Sequence, residues 1–284
     1  MIYDRKTKEI TREKVYQDRA MRFLYNTTLG GLCVLFLRLP VVSKIYGLFQ
    51  KSGRSKVKIN KLINEFKIDM SGFEDEFHSF NDFFIRKRLY TDFSAENDHL
   101  IAPADSCVLA YMVENGGVLN IKGRTYTLGQ FLKDDILARD YRGGTFLIFR
   151  LRVYDYHRFC YVDDGTVVFR KRVGGFLDSV NMSAAGRFTL SSNCREISLL
   201  QTANFGEVVF AEVGAMLAGR IVQTHRGISF RKGDEKGYFE FGGSAVVLLL
   251  KKGAVQIDDD ILEHSAKGIE TKVSLGERIG KKRA

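Results

Sequence analysis

A chain of 284 residues can bury a substantial core, and a composition that is 45% hydrophobic and 27% charged excludes a largely disordered protein. The formal net charge of +10, with Lys and Arg gathered at residues 51–61 and in the tail Lys281-Lys282-Arg283, suits nucleic acid, an anionic membrane or an acidic substrate. Four cysteines, Cys33, Cys107, Cys160 and Cys194, lie far apart without CxxC spacing, which argues against a metal site or a disulfide framework and for a reducing cytoplasm.

Along the chain, the first residues, MIYDRKTKEITREKVYQDR, carry acids throughout and no short apolar core before a small-residue cleavage site, so they do not read as a signal peptide. Leu29 to Phe49 is apolar almost all round but interrupted by Arg38, Pro40 and Lys44, too broken for a comfortable transmembrane helix. Followed by the basic 51–61 stretch, it reads either as a helical element lying on an anionic membrane or as a buried helical hairpin. Ile59, Leu62, Ile63 and Phe66 place an apolar stripe on one helix face, and Phe77, Phe80, Phe83 and Phe84 follow with similar spacing. Such stripes are more often core than ligand boxes. The first hundred residues are therefore expected to be helical, with a boundary near residue 100 where Pro103 opens the segment APADS.

From Ile101 onward, β-branched and aromatic runs alternate with Gly, Asn and Asp punctuation, as in GTFLIFRLRVY, GTVVFRKRVGG, GEVVFAEVGA and SAVVLLL. No βαβ rhythm appears, so a doubly wound parallel sheet is not expected. The predicted fold is α+β, a helical N-terminal part (1–100) and a mostly antiparallel β core (101–284). The charge and the aromatic FNDFFIRKR run raise nucleic-acid binding, but no RNA-binding signature with paired aromatic strands accompanies them.

Gly242-Gly243-Ser244 alone would read as a tight turn or bulge. Its context is less ordinary: KGDEKGYFEF, read as a polar Gly-flanked loop, precedes it, and the apolar run AVVLLL follows at once, delivering Ser244 to the mouth of a buried strand.

The chain resembles the phosphatidylserine decarboxylases through ordered blocks: FNDFFIRKR (80–88), APADS (102–106), IKGRTYTL (121–128), DYHRFCYVDDG (155–165), SVNMSAAGRF (179–188), VGAMLAGRI (213–221) and KGDEKGYFEFGGS (232–244). The N-terminal EKVYQDRAMRFLYNT resembles members from anaerobic Gram-positive bacteria. The resemblance implies a precursor that breaks its Gly243–Ser244 bond into a β chain (1–243) and an α chain (244–284). Ser244 Oγ attacks the Gly243 carbonyl, the amide becomes an ester, and elimination and hydrolysis leave a pyruvoyl group with loss of ammonia. It also implies that the pyruvoyl group, the sole cofactor, forms a Schiff base with phosphatidylserine and releases carbon dioxide to give phosphatidylethanolamine. A peripheral place on the cytoplasmic face of the cell membrane and a homodimer are implied as well.

The family's base is a histidine held by an aspartate, and Asp105 matches that aspartate. The histidine block departs from the family's Tyr-His-Arg-x-His-x-Pro: His157 matches the first histidine, but Cys160 stands at the second and Val162 at the proline. Either Cys160 takes the proton, or His157 or His225 does, or maturation is lost. In the family the position of His157 also serves the phospholipid, and a His157-Arg158 pair suits a phosphodiester or carboxylate. The alternatives to a working phosphatidylserine decarboxylase are a non-catalytic lipid-binding relative and a pyruvoyl decarboxylase of another amino acid headgroup.

Overall fold

The computed structural model describes residues 1–283 apart from 74–75, 95, 122–123, 179–189, 217–219 and 243. The apolar run after Gly243 forms the strand Ser244–Leu250, buried at every position. A strand without polar alternation needs cover on both faces. Val246, Leu248 and Leu250 join one core with Leu147, Phe149 and Leu151, while Ala245, Val247 and Leu249 join a second with Phe146 and Ile148. Its antiparallel neighbours are Thr145–Leu151 and Gly206–Gly214. Fully burying one Val or Leu contributes about 1.5–3 kcal/mol, so this strand is among the most firmly held parts of the molecule.

Among the described residues the central sheet has ten strands, and only Ile2–Asp4 runs parallel to its neighbour, Glu270–Val273. The core is thus mostly antiparallel, as the turn-punctuated sequence predicts. A smaller sheet, in the order Ile221–Gln223, Glu235–Phe239, Arg158–Cys160, leads into the Phe241–Ser244 segment. The expected polar loop at KGDEKGYFEF is therefore corrected: Glu235–Phe239 is a strand with Lys236 fully buried. A buried Glu212 makes that tolerable, and its partnership is invisible in local sequence.

The N-terminal part is helical between residues 18 and 84: α1 (Asp18–Asn26), α2 (Thr28–Leu37), α3 (Pro40–Gln50), α4 (Ile59–Phe66) and α5 (Phe80–Phe84). Pro40 sits in the first turn of α3, where its missing N–H costs nothing, so the predicted interruption divides two helices. No single helix among the described residues is long and apolar enough to cross a membrane, and α1 and α2 are bent by 103°. The expectation of helix throughout the first hundred residues is corrected at Ile2–Asp4 and Glu9–Thr11, which form strands on the sheet edge. Strands of three residues carry no readable period; their partners decide them.

The aromatic stripes are core, as expected. Ile59, Leu62, Phe77, Phe80, Phe83 and Phe84 form one cluster, and Phe241 from the Gly-Gly-Ser segment is part of it. The helical part therefore closes around the segment that precedes Ser244.

Candidate active site

Three contacts fix the approach to Ser244. Asn81 Oδ1 accepts the Phe241 N–H at 3.0 Å, and the Phe241 ring packs on Phe80 and Phe84 with centroids 5.0 and 5.1 Å apart. Gly242 follows with φ of 136°, a backbone region open to glycine and strained for other residues. Ser244 then enters the sheet opposite Leu151 and Gly214. Gly243, the expected cleavage position, and the SVNMSAAGRF block at 179–188 lie outside the described residues. Asn81 escaped the sequence reading; the signal was a polar residue inside an aromatic run, FNDFF, where only a buried hydrogen-bonding duty justifies it.

Ser244 is fully buried, and its Oγ has no hydrogen-bond partner among the described residues. Buried polar atoms are nearly always satisfied, so an orphan hydroxyl beside two glycines marks a place where chemistry competes with packing.

His157 carries another of the unsatisfied buried polar atoms. Its ring is fully buried, with its centroid 3.7 Å from that of Phe84, which also packs on Phe241. Nδ1 lies 2.9 Å from the Asp155 carbonyl oxygen. A carbonyl only accepts, so Nδ1 carries the proton and Nε2 presents a lone pair. Nε2 has no partner among the described residues. Burial holds the imidazole pKa down to about 3, opposed by Asp155 and reinforced by Arg86, so the ring is neutral at physiological pH.

The turn beneath His157 is braced from two sides. The Asp155 carboxylate accepts from the Arg152 backbone N–H at 2.7 Å and pairs with the Arg152 guanidinium at 2.7 Å. Arg86 donates to the carbonyls of Tyr154 and Asp155 at 3.3 and 3.4 Å. Neither arginine was singled out by sequence, because the carboxylate and carbonyls they hold are defined by a turn.

The other expected site residues have partners of their own. Asp105 is paired with Arg88 at 2.5 Å and accepts the Leu275 N–H at 2.7 Å. Its loop does meet the histidine block, since the Pro103 carbonyl accepts the Cys160 N–H at 2.9 Å. Cys160 is buried in the apolar core, and burial pushes its thiol pKa up, away from a thiolate. Arg158 donates to the Ile85 carbonyl at 2.9 Å and pairs with Glu235 at 2.9 Å, so much of its donor capacity is already used. His225 Nδ1 faces the Tyr161 hydroxyl at 3.2 Å.

Beside Gly242 opens a mainly apolar cavity of about 150 Å³, lined by Tyr16, Met21, Tyr46, Leu151, Arg152 and Phe241 among others. Its α1 side is held by Glu13, which receives two hydrogen bonds from the buried Arg150 at 2.9 and 2.8 Å. The residues offer a buried hydroxyl and a neutral imidazole acceptor, with a small cavity beside Gly242.

Comparison with known proteins gives one answer. The sequence profile described as phosphatidylserine decarboxylase matches residues 80–281. The phosphatidylserine decarboxylase proenzyme 2 of Clostridium acetobutylicum is 48% identical over 284 residues, covering 98% of this chain and 97% of the relative. The phosphatidylserine decarboxylase proenzymes of Clostridium botulinum (strain Langeland) and Clostridium perfringens (strain ATCC 13124) are each 41% identical, with 99% of both chains covered.

Proposed function

The chain belongs to the phosphatidylserine decarboxylase family, and from that premise we propose that it is a proenzyme that cuts itself before Ser244 and, once mature, converts phosphatidylserine to phosphatidylethanolamine. The observation that carries the proposal is that Ser244 Oγ and His157 Nε2 are both buried without a partner among the described residues, His157 packing on Phe84 and Phe84 on Phe241, three residues before Ser244.

In this reading His157 is the base. Nε2 takes the Ser244 hydroxyl proton as Oγ adds to the preceding carbonyl, and gives a proton to the departing amide nitrogen as the ester forms. The Asp155 carbonyl keeps Nδ1 protonated, so the acceptor is always Nε2. Arg152, through the Asp155 carboxylate, and Arg86, through that carbonyl, act as positioning residues. Elimination of the ester and hydrolysis, with loss of ammonia, leave residue 244 as the pyruvoyl terminus of the α chain.

A small keto group suits this place, because it replaces a buried hydroxyl without partners at the start of a rigid strand. Its carbonyl supplies the electron sink for decarboxylating an amine-linked substrate. In the cavity beside Gly242, Tyr16, Tyr46 and Phe241 supply apolar wall, and Arg152 brings positive charge to the side where a carboxylate would enter. Intact-mass spectrometry of the purified chain tests the proposal: two polypeptides are expected, 1–243 and 244–284 with a pyruvoyl terminus. A single uncleaved mass would sink it and favour the non-catalytic lipid-binding reading.

A lipid substrate brings the enzyme to the bilayer surface, and we propose α2 and α3 as the peripheral docking face. Leu32, Leu35 and Phe36 on α2 and Val41, Ile45 and Leu48 on α3 are all more than half exposed. Deleting the first fifty residues would be a poor test, since it would also remove the Ile2–Asp4 strand and the Glu13–Arg150 pair. The double substitution Phe36→Ser/Ile45→Ser is cleaner. Each side chain is worth about 1.5–3 kcal/mol when buried, so a loss of at least tenfold in vesicle partitioning is expected. Unchanged sedimentation with vesicles would place the contact on another face.

A further inference from the structure

On the other side of Tyr16 lies a larger, open cleft of about 1180 Å³, lined by Arg12, Arg19, Lys58 and Lys61 among others. It shares Glu13, Val15, Tyr16 and Gln17 with the small cavity beside Gly242, so the two spaces adjoin along one stretch of chain. Its charge is not cancelled locally. Of its acids, Glu13 and Glu270 are bound to Arg150, Asp18 pairs with Arg22, and Glu65 meets Lys14. Arg12, Arg19, Lys58 and Lys61 meet no carboxylate among the described residues.

Lys58 is the telling member. Its Nζ is drawn over the rings of Phe49, Tyr46 and Phe80, at 5.1, 5.9 and 6.0 Å from their centroids. There burial lowers its pKa, and no hydrogen-bond acceptor meets its Nζ among the described residues. A cation held partly desolvated on aromatic faces stands to gain from an anion. Tyr46 connects it to the reaction site, since that ring lines the small cavity and lies 5.8 Å from Phe241.

The small cavity has room for the serine end of a headgroup and not for a diacylglycerol. We infer that the cationic cleft is the subsite for the phosphodiester, with Lys58 and Lys61 its principal cations and Tyr16 dividing phosphate from the reacting amine. The inference rests on the proposed phosphatidylserine decarboxylase function and deepens it: the headgroup is read at two adjoining places, and the phosphate is held by the N-terminal helical part.

The test uses the processed enzyme and two probes, glycerophosphoethanolamine, which carries the phosphodiester without acyl chains, and phosphatidylglycerol vesicles. By isothermal titration, Lys58→Gln and Lys61→Gln should each weaken glycerophosphoethanolamine binding about tenfold, the loss of one charge-assisted contact. Lys58→Arg should retain it. Adsorption to the vesicles should change less than twofold. Unchanged headgroup affinity in both Gln variants overturns the subsite. An equal fall for both probes also overturns it, assigning the cleft to general membrane attraction. Intact mass on the same samples keeps the two proposals apart, because chains that cleave normally yet bind the headgroup like wild type refute the subsite alone.

Discussion

The full-length chain carrying His157→Gln is expected to persist as one uncleaved polypeptide while the wild type processes, with self-cleavage slowed about 10²–10⁴-fold, the usual worth of a positioned proton acceptor. Glutamine retains a polar side chain of similar reach but offers no basic nitrogen at the Nε2 position. Cys160→Ala should cleave at the wild-type rate, because the thiol sits in an apolar core where burial disfavours the thiolate. Cleavage that survives His157→Gln and fails in Cys160→Ala would reverse the assignment.

The same ring predicts a pH profile. A base works when unprotonated, and with its pKa held down to about 3 His157 stays competent to well below the ordinary imidazole range. Self-cleavage should therefore show no loss between pH 8 and 5 attributable to an imidazole; a midpoint near 6.5 would place the ring in water. Stability follows with a definite sign. The folded pKa lies below the unfolded value, so the unfolded chain binds the proton first and stability is lost as pH falls from about 6.5 toward 3. The slope is at most about 1.4 kcal/mol per pH unit for this single group. Comparing urea unfolding of Ser244→Ala with Ser244→Ala/His157→Gln, both uncleaved, at pH 7 and 5 isolates that term.

The second large effect lies in the buried pair Lys236–Glu212. Lys236 Nζ is 2.5 Å from Glu212 Oε1 and 3.0 Å from Gln223 Oε1, and both members of the pair are fully buried. Burial pushes Glu212 up and Lys236 down, and each charge offsets that cost for the other. Lys236→Met leaves Glu212 buried without its cation and should cost about 3–5 kcal/mol in urea unfolding of the uncleaved chain. Lys236→Met with Glu212→Leu should recover most of it, because two well-packed apolar side chains need no mutual charge. A single substitution costing less than about 1 kcal/mol would show that water reaches the pair. Glu212 pairs with Val246 in register, two positions along the strand from Ser244, so the fault would also loosen the strand that presents the nucleophile.

Much of this protein follows from its sequence alone. The continuous apolar run after Gly243 required a strand buried on both faces, the Gly/Asn/Asp punctuation required an antiparallel core, and the phenylalanine spacing required a helical core. These are local signals, set by side-chain period and backbone freedom. The ordered blocks carried the family, and with it Ser244. The partners were decided elsewhere. The strand at Glu235–Phe239 depends on a carboxylate more than twenty residues away, the hold on Phe241 depends on Asn81, and the proposal of His157 over Cys160 as base depends on an unpartnered imidazole nitrogen and a thiol buried in the apolar core. Burial and hydrogen-bond partnership belong to the assembled chain, because a residue's surroundings come from segments distant in sequence. That is why Ser244 and the candidate bases could be named from their neighbours in the chain, while the preference for His157 among them rests on neighbours in space.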